Sequence, residues 1–118
     1  MPLNLANTVT ITAKTAYANV TTVSSNVITN AAASNQIYKI NNISLTNYTS
    51  SVVTANVSTI RNGVGTFNII NTINVPANSL LTVLSKDTSL YLEEGDTIQS
   101  NSGANSAIQL SIGYEILS

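Results

Sequence analysis

The chain has 118 residues, of which 43% are hydrophobic and only 8% charged, for a formal net charge of -1; a soluble domain usually carries roughly 25% charged residues. It contains no cysteine and no histidine, which excludes disulfides, thiol chemistry, thiolate metal ligands and the commonest acid–base and zinc-binding side chain. The length is that of one domain. Asn, Ser and Thr must supply the solubility that charge does not, and so weakly charged a surface repels its own copies poorly, which favours close packing of many subunits.

Residues 1–7 hold neither a basic segment nor an apolar run of about 7 to 15 residues, so no cleaved signal peptide is expected. Leu3 and Leu5 are their only sizeable apolar anchors after Met1, and burying these within the chain's own core would return little against the cost of ordering the segment. Residues 1–7 are therefore expected to be an arm or edge strand that orders on assembly, with Leu3 and Leu5 in an intersubunit contact, or else a frayed terminus. Residues 8–118 are expected to form the folded domain. No stretch approaches the roughly 18 apolar residues that cross a membrane as a helix, so no membrane partner is expected.

In residues 8–14, Val9, Ile11 and Ala13 alternate with Thr and Lys, the period of two of a first strand. The signal weakens over residues 15–35: Val20, Val23, Val27 and Ile28 favour strands, but residues 24–26 and 30–35 read as turn or loop, with room for at most one helical turn at residues 31–33. Residues 36–48 read as one long bent strand or two short ones, with a bulge or turn at Asn41-Asn42. Residues 52–60 form the next strand. Asn62-Gly63 then predicts a type I′ hairpin turn, returning residues 66–70 antiparallel to it. Ile73 and Val75 lead into a turn at residues 76–78, and residues 80–84 make a further apolar strand.

After a turn at residues 85–88, Leu90 and Leu92 flank Tyr91, the acidic turn Glu93-Glu94-Gly95-Asp96 breaks the run, and Thr97-Ile98-Gln99 resumes it. Gly95 is suited to a positive φ that strains other residues. A polar loop follows over residues 101–106. The clearest strand covers residues 107–116, where Ile108, Leu110, Ile112, Tyr114 and Ile116 share one face and are expected in the core or a buried subunit interface. Eight to ten short strands without a long helix predict an all-β chain, a single antiparallel β-sandwich of jelly-roll or immunoglobulin-like topology.

Chemistry is thinly represented. The acidic group Asp87, Glu93, Glu94, Asp96 and Glu115 offers oxygen ligands but lacks the EF-hand spacing, and reads as solvated turns. Adjacent Glu93 and Glu94 do not supply the separated carboxylates of a glycosidase. Lys14, Lys39, Arg61 and Lys86 are scattered, against a nucleic-acid footprint. Ser111 has neither a histidine base nor a nucleophile elbow. No catalytic residue, metal ligand or cofactor is therefore assigned. Among the tyrosines, Tyr17, Tyr38, Tyr48, Tyr91 and Tyr114, the last falls on the apolar stripe. Tyr38 and Tyr91 lie off it and become candidate assembly contacts. The N-x-[ST] spellings at Asn19, Asn42, Asn47 and Asn56 are expected by chance in so Asn-, Ser- and Thr-rich a chain.

Val75-Pro76-Ala77-Asn78-Ser79, Ser85-Lys86-Asp87, the run from Leu90 through Glu93-Glu94-Gly95-Asp96 to Ile98, and the ending Ser111-Ile112-Gly113-Tyr114-Glu115-Ile116 resemble small accessory virion proteins of tailed bacteriophages, the β-sandwich units of capsid decorations, head fibres and tail-associated proteins. The resemblance covers residues 36–116. It implies a non-enzymatic virion structural protein, made in the host cytoplasm, whose partners are its own copies and capsid or tail components. A carbohydrate-binding or host-adhesion module using Tyr38, Tyr48 or Tyr91 with nearby Asn residues is the alternative, with a glycan as partner.

Overall fold

The computed structural model describes residues 10–85 and 90–118. Nine strands run through them: β1 Ile11–Val20, β2 Ser25–Thr29, β3 Ile37–Asn47, β4 Val53–Arg61, β5 Gly65–Val75, β6 Ser79–Leu84, β7 Leu90–Leu92, β8 Asp96–Ser102 and β9 Ile108–Leu117. They form two antiparallel sheets. The first has the order β1-β9-β3-β6, with β7 continuing the β6 edge by pairing with the start of β3; the second has the order β2-β8-β4-β5. With β6 and β7 sharing one place, this is the double Greek key of a jelly roll rather than an immunoglobulin arrangement.

The apolar residues of the two inner faces meet in one core. Ile43 and Leu45 of β3 and Ile108, Leu110 and Ile112 of β9 pack with Val53, Ala55 and Val57 of β4 and Ile98 of β8. β9 sits centrally in its sheet, paired along its whole length with β1 on one side and β3 on the other. That explains why its alternation is the clearest in the chain.

Several sequence expectations are corrected. The first strand begins at Ile11 and continues to Val20 instead of ending at residue 14; Thr8 and Val9 lie outside the described residues. Its second half carries only Ala16, Ala18 and Val20 on the inner side, but an unbroken ladder against residues 108–112 holds it extended. Of residues 24–26, read as a turn, Ser25 and Asn26 belong to β2. Strand β8 runs through Ser100 and Ser102, which had been assigned in part to a loop. Both serines are buried opposite Val57 and Ala55, so small polar residues occupy inward positions that hydropathy does not mark.

The hairpin after β4 is not type I′. Of the two central turn residues, Gly63 has positive φ, +78°, and Asn62 does not, and the Val64 N–H donates to Arg61 O at 3.0 Å. Positive φ confined to the third turn position is the signature of type II. Arg61 pairs with Gly65, leaving a three-residue connection; the I′ geometry belongs to two-residue loops. Residues 66–70 and 71–75, expected as separate pieces, lie in the single strand β5, interrupted by bulges. At one of them Asn71 and Thr72 together face Asn56, Thr72 adopts φ +51°, and its N–H donates to Asn56 Oδ1 at 2.6 Å.

The expected bulge at Asn41-Asn42 is present, with the β3–β9 register shifting between Ile40 and Asn42. It turns the Asn42 side chain onto Gly113, whose N–H donates to Asn42 Oδ1 at 2.8 Å. A Cβ at Gly113 would overlap that oxygen.

Candidate assembly surfaces

Two buried asparagines set the ends of the sandwich. Asn30, fully enclosed, donates from Nδ2 to Gln36 O at 2.9 Å and Leu92 O at 3.0 Å, and its main chain exchanges hydrogen bonds with Gly95 and Asp96. Asn47, equally enclosed, donates to Ser51 O and Val75 O and accepts from the Thr49 N–H and hydroxyl. Both amides stand in for ladder partners where the chain leaves a strand, which makes their burial affordable. Composition alone did not separate these two from the chain's other asparagines.

The acidic turn is a structural joint built on one buried carboxylate, Asp96, with Glu93 exposed beside it. Asp96 is 4% exposed. Its carboxylate accepts from Arg61 Nε at 3.1 Å and Nη2 at 2.9 Å, and also from the Glu93 N–H at 2.9 Å. Glu93 makes a second, exposed ion pair with Arg61 at 2.8 Å. Glu94 accepts from the Asn35 N–H. Gly95 takes φ +88°, as the turn requires. The guanidinium is held far above its ordinary pKa, first by the hydrogen bonds to Asp96, then by the charges of Asp96 and Glu93. Three of the five acids are thereby committed to the protein's own groups, and Glu115 accepts from Asn41 Nδ2 at 2.9 Å. Asp87 lies outside the described residues, among which no cluster of three metal-ligating side chains occurs.

The predicted contact and core residues divide. Leu3 and Leu5 lie outside the described residues. Ile108, Leu110 and Ile112 are buried. Tyr114 and Ile116 are only half-buried, because their β1 neighbours Lys14 and Thr12 are exposed and the sandwich opens at that corner. Tyr38, a candidate assembly contact, is half-buried: it stacks on Tyr114 with ring centroids 5.5 Å apart and packs against the core. Burial raises the Tyr114 phenol above its usual pKa, with Tyr38 adding to the effect. Tyr91 is exposed and, with Phe67, Ile60, Arg61 and Leu90, lines a recess of about 210 Å³. Tyr38 lies near the start of β3 and Tyr48 directly follows its end, roughly 30 Å apart at the rise of an extended strand, so these two do not share one platform.

What the sequence reading missed is the inequality of the sheet edges. β1 and β5 are the outer strands of different sheets, on opposite flanks, and most of their residues are exposed. Ile11 and Tyr17 on β1 and Phe67 and Ile73 on β5 are among the exposed large hydrophobics. Together these strands carry one charged residue, Lys14, and no proline. Long, weakly charged, unpaired edges are templates for pairing with another chain.

No family model matches the chain, and no curated protein does. A solved structure does resemble it, the one described as "Bacillus endospore appendages form a novel family of disulfide-linked pili". The likeness covers 92% of this chain and 85% of that one, with a TM-score of 0.53 and 18% identity. It is a likeness of fold. The 118 residues contain no cysteine, so the disulfide linkage named for those pili has no counterpart among them.

Proposed function

We propose that the chain is a non-enzymatic structural subunit that associates with copies of itself. The observation that carries this reading is the pair of long, exposed, nearly uncharged edge strands on a jelly roll in which Glu93, Glu94, Asp96 and Glu115 are engaged by groups of the chain itself. The fold likeness to a pilus protein supports it, as does a surface with too little charge to keep copies apart. Attachment then comes from many modest main-chain and apolar contacts repeated along a lattice, where avidity makes weak single interfaces durable. Within this class, the resemblance of residues 36–116 to accessory virion proteins favours a place on a phage particle, as a capsid decoration or tail-associated component.

Sedimentation and electron microscopy over a concentration series test the general reading: ordered oligomers or filaments are expected, and a monomer at every concentration overturns it. Mass spectrometry of purified particles tests the finer one, which requires stoichiometric copies and fails if infected cells contain the protein only in free form.

A second reading rests on the recess that Tyr91 and Phe67 share with Arg61, since an aromatic face beside a polar fork suits a sugar ring. Saturable glycan binding lost in Tyr91→Ala supports it; no binding by the assembled protein rejects it.

A further inference from the structure

The free edges of this sandwich differ in how they are protected. β2 has five residues and a register break at residues 26–28; β6 has six and β7 three. Short strands and bulges are the usual ways of blunting an edge. β5 is blunted over its second half, where Thr72 turns its N–H inward onto Asn56. It is bulged again at Ile69, the extra residue between the Val57–Ile70 and Ser58–Asn68 pairs, so its unshifted stretch is residues 65–68, which have neither a charge nor a proline. β1 carries a single charge, Lys14, and no bulge: ten successive residues pair with β9 without a shift, from Ile11 opposite Leu117 to Val20 opposite Ile108.

The exposed apolar side chains follow these two edges. Tyr17 is 79% and Ile11 63% exposed on β1, with Val23 at 70% just beyond it; Phe67 is 55% exposed on β5, with Val64 at 66% on the preceding turn. We infer that β1 of one copy pairs with residues 65–68 of the next, extending the first sheet of one subunit into the second sheet of its neighbour. The inference rests on the reading of the chain as a self-associating subunit and names the surface it uses.

Two arguments favour unlike edges over β1 against β1. Two antiparallel β1 strands would put two Lys14 charges on one short ladder, which is destabilising in any register that sets them opposite each other. β5 contributes no charge, and its Phe67 supplies an aromatic partner for Tyr17 or Ile11, the kind of cross-strand pair that stabilises a sheet. Because β1 and β5 lie on opposite flanks, the contact is head-to-tail, and its repetition builds a filament or closes a ring.

Edge-blocking variants test this. One carries Ile11→Lys with Tyr17→Lys, the other Thr66→Lys with Phe67→Lys, all at exposed positions. Each variant alone is expected to sediment as a monomer, whereas an equal mixture forms a species of twice the monomer mass and grows no further, since each pair has one intact β1 and one intact β5 edge. If both variants assemble like the wild type, the edge assignment falls while self-association stands. If one variant forms dimers by itself, like edges pair and the head-to-tail contact is overturned. A wild type that never assembles removes both readings. Circular dichroism checks folding. Should a variant unfold, the cysteine-free background allows Tyr17→Cys and Phe67→Cys to be mixed with a bifunctional maleimide: mixed crosslinks in excess of like ones support the contact, and a purely statistical yield rejects it.

Discussion

Arg61 and Asp96 face each other across the β4–β8 ladder and are joined by two hydrogen bonds, Nε to Oδ1 at 3.1 Å and Nη2 to Oδ2 at 2.9 Å. The aspartate is buried and the guanidinium half-exposed, so the two ends of the pair are unequal. Arg61→Ala strands a buried carboxylate and is expected to cost about 3 kcal/mol. Glu93→Ala removes only an exposed partner, with an expected cost of at most about 0.5 kcal/mol. Urea denaturation of the two variants checks the ranking, and equal losses would show that Asp96 is adequately held by the Glu93 N–H alone.

Ile112 lies at the centre of the core with no exposed surface. Ile112→Asp is expected to cost about 4 kcal/mol or more by burying an unpaired carboxylate. Gln109→Asp, on the outward side of the same strand, should change stability by only about 0.5 kcal/mol. Thermal melts of the two variants give the comparison, and a mild effect at Ile112 would contradict its enclosure.

Gly113→Ala introduces a Cβ against Asn42 Oδ1, with an expected cost of about 2 kcal/mol. Because the obstacle is one side chain, Asn42→Ala should relieve part of the loss, so that the double variant is less destabilised than the sum of the singles. A double-mutant cycle measures this; strict additivity would mean that the two residues do not interact.

The raised pKa of the Tyr114 phenol has a definite sign. The folded protein keeps the proton where the unfolded chain, with a tyrosine pKa of about 10, has begun to lose it. Stability from this group is thus complete below about pH 10 and declines as pH rises toward the folded value. Tyr114→Phe should flatten that alkaline decline in pH-dependent denaturation, whereas an unchanged slope would assign the decline to other groups.

Asn41-Asn42 and Gly95 show how far local chemistry reaches. Both punctuate strong alternating runs, and the bulge and the positive φ follow from that position. Asn62-Gly63 shows where it stops: the dipeptide marks a hairpin, but the register that sets Arg61 opposite Gly65 decides its loop length and so its turn type. Arg61 and Asp96 are 35 residues apart, and nothing local to either one announces their pairing.

By itself, the sequence determined that the chain is built of strands, that Ile108, Leu110 and Ile112 share a buried face, and that histidine and thiol chemistry is closed to it. These are consequences of residue type and of a side-chain period of two, which require no distant partner. Only the tertiary structure decided that Tyr38 stacks on Tyr114, that Asp96 is withdrawn from solvent by Arg61, and that β1 and β5 are the long outer strands among the described residues. Each depends on which strands become neighbours, and strand order is set by the joint packing of two sheets, which no single segment encodes.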